Sequence, residues 1–204
     1  PFRNRETHLA QFAPYLNDYL GDRPFDIFVI EQGNDKPFNR GKLLNIGFDL
    51  VAAGYDYFAF HDVDHFPVDA DYDYPIHPIH LAARSAVNHF ELLYETCMGG
   101  IVLFNTQDFK QINGFSNAFW GWGAEDDDLY LRMQQMECYP SRRNGIFDTL
   151  PHESNAFIHP TYKDNLIRLN QMKDADIDLH QDGLTTLQYR LTQASKCDLY
   201  YRLT

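Results

Sequence analysis

The chain has 204 residues, 44% of them hydrophobic and 23% charged, enough for one domain with a sizeable core and in keeping with a globular protein. Its formal net charge of −12 repels phosphate backbones and argues against nucleic acid as a partner. A small phosphorylated ligand remains compatible, because a few arginines and one metal ion can reverse the field inside a cleft.

Phe2 to Arg5 reads as a loop leaving a strand absent from this sequence, which opens on Pro1 rather than Met, so an upstream anchor or domain is expected. Thr7 to Leu20 has helical spacing of Leu9, Phe12, Ala13, Leu16 and Leu20, with Gly21 as a stop. Asp26 to Ile30 reads as a buried strand. Asn39 to Ala53 reads as a helix, and Tyr55 to His61 as a strand running straight into Asp62-Val63-Asp64. A polar, Pro-rich stretch follows from Pro67 to His80. Ile101 to Phe104 is a strand after Gly99-Gly100, and Asn105 to Ile112 a short helix. Trp120-Gly-Trp-Gly123 is a stiff loop feeding a helix from Glu125 to about Met136. Beyond Pro140 the pattern fades into loops until a polar helical stretch from Lys163 to Lys173. Strands alternating with helices predict an α/β domain with a largely parallel sheet, whose ligands sit at the carboxyl ends of strands. Asp62 and Asp64 stand at such an end.

Asp62-Val63-Asp64 offers two carboxylates to one crevice, and hard cations such as Mn²⁺ or Mg²⁺ take oxygen ligands of this kind. A strand-end turn with solvated acids fits the same residues. His152, with His159 behind it, is the candidate further ligand, although a surface histidine is the commoner outcome in a chain with nine. Glu125-Asp-Asp-Asp128 suits a helix amino end, but four acids beside both tryptophans exceed what capping needs. The glycines around Trp122 let backbone approach a ligand while the indole stacks on a sugar ring. A carboxylate crowded by others gains proton affinity and can serve as general base toward a hydroxyl. Arg3, Arg5 and Arg40 can grip diphosphate oxygens, or form ordinary surface ion pairs.

Several motifs occur in a fixed order: Pro1-Phe-Arg-Asn-Arg5, Phe38-Asn-Arg40 with Lys42-Leu-Leu-Asn-Ile-Gly-Phe48, Asp62-Val-Asp64, Gly99-Gly100, Asn113-Gly-Phe115, Trp120-Gly-Trp-Gly123 with Glu125-Asp-Asp-Asp128, and Asp182-Gly-Leu184. Over nearly the whole chain the sequence resembles the catalytic domains of the β-1,4-galactosyltransferases, glycosyltransferase family 7. The resemblance implies a single-domain GT-A fold, a UDP-sugar donor, Mn²⁺ and an inverting transfer to a carbohydrate hydroxyl with β-1,4 linkage. By it, Arg3, Arg5, Phe38, Arg40 and Val63 hold the UDP part, and Asp64 and His152 the metal. Asp62, Gly100, Glu125 and Trp122 meet the donor sugar, and Asp126 is the catalytic base. Asp127, Cys97, Arg168 and Leu169 fall on the acceptor side, and a stretch from about His152 to Arg168 forms a mobile lid.

Three departures from the family pattern stand out. Thr149 and Ser154 occupy the positions of the family's other metal ligand, leaving Glu153, His159 or water to fill the gap. Cys97 stands where galactose-specific members carry Tyr, and the smaller side chain leaves room for the acetamido group of UDP-GalNAc beside UDP-galactose. The disulfide partners of Golgi members are not evident among Cys97, Cys138 and Cys197, which favours a cytoplasmic location, with the Golgi lumen as the alternative if an upstream anchor was removed. A non-catalytic, lectin-like sugar or UDP-binding module is the competing class. A nucleotidyltransferase is disfavoured because no glycine-rich basic loop stands near the start.

Overall fold

Apolar residues three and four apart bury Leu9, Phe12, Ala13 and Leu16 along one stripe of helix α1 (Glu6–Leu20). The computed structural model describes residues 1–86, 89–150, 160–174 and 178–204. Strand β1 (Phe28–Ile30) is followed by α2 (Arg40–Val51), which a single helical turn, Ala52–Gly54, continues. Then come β2 (Tyr57–Phe60), β3 (His65–Ala70), β4 (Ile79–His80), β5 (Arg84–Ser85) and β6 (Val102–Asn105). Helices α3 (Thr106–Gln111) and α4 (Glu125–Gln135) precede β7 (Ser141–Arg142) and β8 (Gly145–Thr149). Helix α5 (Tyr162–Asp174) and strands β9 (Ala194–Lys196) and β10 (Tyr201–Leu203) complete the order.

The strands form three sheets, β1-β10-β9, β2-β6-β4-β7 and β3-β8-β5. The α/β class holds, but the pairing is mixed rather than largely parallel. β2 pairs antiparallel with β6 and β3 with β8, whereas β1 with β10, β4 with β7 and β5 with β8 are parallel. Part of the Pro-rich stretch and of the tail expected to be loop supplies strands. Alternation of apolar and polar residues there is too brief to register as a pattern.

The main core gathers Phe48, Phe60, Phe104, Phe109 and Phe115 around Met98, Leu129 and Met133. Rings such as Phe60 and Phe109 meet at 4.5 Å, and burying each phenyl contributes about 1.5–3 kcal/mol. This core packs against α2 through Leu44 and Phe48, the end of β2 through Phe60 and α4 through Leu129 and Met133, and so holds the three elements together. A separate apolar cavity of about 950 Å³ opens between β1 and β2, lined by Leu9, Phe12, Val29, Leu44, Phe48 and Phe58 among others. Phe2, 2% exposed, caps it by pairing in parallel with Glu31: its N–H donates to the Ile30 carbonyl at 2.8 Å. The three cysteines are free thiols, and among the described residues no helix is long and apolar enough to cross a membrane.

Candidate active site

Helix α2 begins at Arg40 because Asn39 caps it. The Asn39 side chain accepts from the Lys42 N–H at 2.9 Å and donates to the Asn117 carbonyl at 2.9 Å. Asn45, fully buried, binds Phe115 from both sides of its amide, accepting its N–H at 2.9 Å and donating to its carbonyl at 2.7 Å. Arg40 is therefore planted at a rigid helix start. Its Nε donates to Asp62 Oδ1 at 2.7 Å, its Nη2 to the Gly100 carbonyl at 2.8 Å, and its Nη1 lies 3.8 Å from Glu125 Oε1. Burial works against the Arg40 charge, but Asp62 first and Glu125 next outweigh it, so its pKa is raised. Nη1 is buried with no hydrogen-bond partner among the described residues.

One guanidinium thus joins the turn after β2, the Gly99-Gly100 turn before β6, and the amino end of α4. Gly100 adopts φ +79, and a Cβ there would stand 2.8 Å from that of Ala82, so only glycine fits this turn. His80, buried on β4, faces the Gly99 carbonyl with Nε2 at 2.9 Å. A Cβ on Gly99 would lie 3.0 Å from Asp126 Oδ2, so the Gly-Gly turn and the first turn of α4 are in close approach.

The acids of α4 divide by environment. Burial, then the charge of Asp126, push Glu125 up to about 7 against the pull of Arg40. Burial, then the charge of Asp127, also raise Asp126, again opposed by Arg40. Asp127 accepts from the Tyr94 hydroxyl at 3.0 Å. Asp128 points inward, fully buried, and accepts from Arg132 Nε at 2.7 Å. Arg132 also donates to the Asp182 carbonyl at 2.9 Å, which anchors Asp182-Gly-Leu184 to α4.

The Trp-Gly loop is clamped at both ends. The Gly121 N–H donates to the Phe38 carbonyl at 2.7 Å, and Asn165 of α5 donates to the Trp120 and Trp122 carbonyls at 3.1 Å each. Trp122 stays 40% exposed, its ring 5.4 Å from that of Tyr162. Gly121, Gly123 and Ala124 take φ of +84, +94 and +73, the backbone course that turns this loop into the helix.

Residues 1–76 match the family model for the N-terminal region of glycosyl transferase group 7, and residues 79–153 the model for the N-terminal domain of galactosyltransferase. β-1,4-Galactosyltransferase 7 of Drosophila melanogaster is 34% identical over 94% of this chain and 61% of the relative. β-1,4-Galactosyltransferase 1 of Mus musculus is 35% identical over all of this chain and 52% of the relative. A solved Drosophila β-1,4-galactosyltransferase 7 mutant, in complex with manganese, UDP-Gal and xylobiose, superposes with a TM-score of 0.80 at 32% identity, covering all of this chain and 90% of that one. The chain belongs to glycosyltransferase family 7. It spans between half and two thirds of the length of these two curated relatives.

Within this family 7 chain, the structure brings Arg40, Asp62, Gly100 and Glu125 into direct contact, with Asp126 against Gly99. Arg3 lies over the Phe38 ring at 5.4 Å and donates to the Lys36 carbonyl at 2.6 Å. Arg5 precedes α1 as its N-cap residue, and Val63 packs its side chain against the cores beneath α1. Cys97 is 6% exposed, and burial pushes its thiol up. Arg168 is exposed on α5, whereas Leu169 is 3% exposed and packs with Phe119 and Ala124. Leu169 thus packs beneath the helix start that follows the Trp-Gly loop. His152, with Glu153, Ser154 and His159, lies outside the described residues, as does the first part of the expected lid.

Sequence reasoning passed over His65, Tyr94, His80 and Asn165. His65 carried a usable signal, standing directly after the paired acids. Among the described residues, Asp62, Asp64 and His65 are the group with metal-ligand spacing, their ligand atoms all within 4.8 Å of one another. Carboxylate oxygens plus an imidazole suit Mn²⁺, and the Arg40 Nη1 beside them, which faces Glu125 without a hydrogen bond among the described residues, suits the anion such a cation would carry.

Proposed function

We propose that this chain is the catalytic part of an inverting, metal-dependent glycosyltransferase that moves galactose from UDP-galactose to a carbohydrate hydroxyl, forming a β-1,4 linkage. One observation carries the reading: Arg40 ties Asp62, Gly100 and Glu125 to a single point, beside which Asp126 lies. Asp64, with His152, holds the cation, which when bound neutralises charge on the departing diphosphate. Arg3, Arg5, Phe38, Arg40 and Val63 bind the UDP part. Glu125, Asp62 and Trp122 orient the donor sugar, and Asp127 grips the acceptor.

Asp126 accepts the proton of the attacking hydroxyl. Its pKa is raised by burial and by the charge of Asp127, which makes it a better base than a solvated carboxylate. Attack from the face opposite the diphosphate converts an α-linked donor into a β-linked product. The small Cys97, in place of an aromatic ring and within reach of Gly99 and Asp126, supports UDP-GalNAc as a second competent donor.

The test is a matrix of UDP-galactose and UDP-GalNAc against N-acetylglucosamine, glucose and xylose acceptors, with Mn²⁺ and with chelator. The xyloside is included because the Drosophila relative was solved with xylobiose. UDP release with Mn²⁺, lost on chelation, is the expected result. UDP binding without release from any pair would instead assign a lectin-like module. Strong rejection of UDP-GalNAc would remove the second donor, and Cys97→Tyr is expected to move preference toward galactose.

A further inference from the structure

We propose that His65 is itself a ligand of the divalent cation, adding a ring nitrogen beside the carboxylate of Asp64. The inference rests on the metal-dependent reading above and concerns which side chains complete the shell. His65 Nδ1 lies 2.9 Å from Asp64 Oδ1. Adjacent ligand atoms around an octahedral cation with bonds near 2.1 Å are about 3 Å apart, so this spacing is that of two neighbouring donors. The His65 and Asp64 side chains are each 13% exposed, which keeps both out of bulk water.

The ring is also aimed. A Cβ built on Gly100 would stand 3.3 Å from His65 Nε2, so the imidazole fills the space between Asp64 and the Gly-Gly turn. Across the β3–β8 ladder His65 pairs with Thr149, and the Leu150 N–H donates to the Asp64 carbonyl at 2.9 Å. The side chain facing His65 from β8 is therefore a neutral hydroxyl, a weak donor for Mn²⁺. The same ladder carries a strong donor on the opposite strand. Imidazole and carboxylate together make a mixed nitrogen–oxygen shell of the kind Mn²⁺ accepts.

The competing role for His65 is to orient Asp64 by hydrogen bonding without touching the cation. The two roles separate in Mn²⁺ binding by electron paramagnetic resonance, with the metal alone as probe and circular dichroism as a check on folding. The wild-type chain should bind Mn²⁺, Asp64→Ala should not, and His65→Ala should bind about 10-fold or more weakly. His65→Gln keeps a donor for Asp64 but loses the nitrogen ligand, and should match His65→Ala. Pulsed measurements on His152→Ala should retain a nitrogen coupling that disappears when His65→Ala is added. Unchanged affinity in His65→Ala, wild-type affinity in His65→Gln, or a nitrogen coupling that survives in the double variant would each overturn the proposal. Failure of the wild-type chain to take up Mn²⁺ would overturn the metal reading as well.

Discussion

Arg40 Nε donates to Asp62 Oδ1 at 2.7 Å, so the first residue of α2 and the turn after β2 form one charged unit. The guanidinium fork serves Asp62, Gly100 and Glu125 at once, which a lysine cannot do. Arg40→Lys should therefore lower kcat/KM by about 100-fold although the charge is kept. It should also weaken UDP binding in titration calorimetry. Wild-type kinetics in the lysine variant would show that charge alone suffices.

Asp126 supplies a second measurement. Asp126→Asn should cut kcat by about 10²- to 10⁴-fold while leaving UDP affinity within a few-fold of wild type. Because burial and Asp127 raise the Asp126 pKa, the acid limb of the kcat profile should lie above the ordinary carboxylate range. A profile flat down to pH 4 would remove Asp126 from the proton-accepting role.

Asn165 is 5% exposed and satisfies two carbonyls of the Trp-Gly loop. Asn165→Ala leaves both short of a donor, at a cost of about 1–3 kcal/mol. The expected signature is a lower Tm together with a shift in Trp122 emission and a raised acceptor KM. An unaltered emission spectrum would mean that the loop holds its shape without the clamp.

How much of this was legible beforehand differs by region. The helices α1, α2 and α4 were readable because long apolar periodicity and caps such as Asn39 act locally. Strands β4, β5 and β7 are two residues each, too short to carry alternation, and are defined by partners far along the chain. The same limit applied at the site. Arg40, Asp62 and Glu125 could be singled out by type, but their convergence depends on a ladder and a helix start more than 60 residues apart. Asp128 reads as a fourth surface acid in sequence, and only its burial against Arg132 reveals it as a structural ion pair.

Acid sensitivity offers a fourth prediction. Burial pushes His80 down to about 4, despite the Gly99 carbonyl. The unfolded chain takes up the proton near pH 6.5, while the folded chain resists it until about pH 4. Stability from this group is thus complete above pH 6.5 and is lost as pH falls toward 4. His61, also pushed to about 4 by burial, acts in the same direction. Glu125, pushed up to about 7, acts in the opposite direction, so the His80 share is read by difference: between pH 7.5 and 4.5 the urea midpoint of His80→Gln should lose less, or gain more, than that of the wild-type chain. Equal pH dependence in the variant and the wild-type chain would show that His80 contributes nothing to it.

Arg132 gives the amino end of α4 a remote anchor. It holds the Asp128 carboxylate at 2.7 Å and the Asp182 carbonyl at 2.9 Å, so two stretches some fifty residues apart move as one. A change in the Asp182-Gly-Leu184 turn is therefore felt by the acids of the first helical turn without touching them.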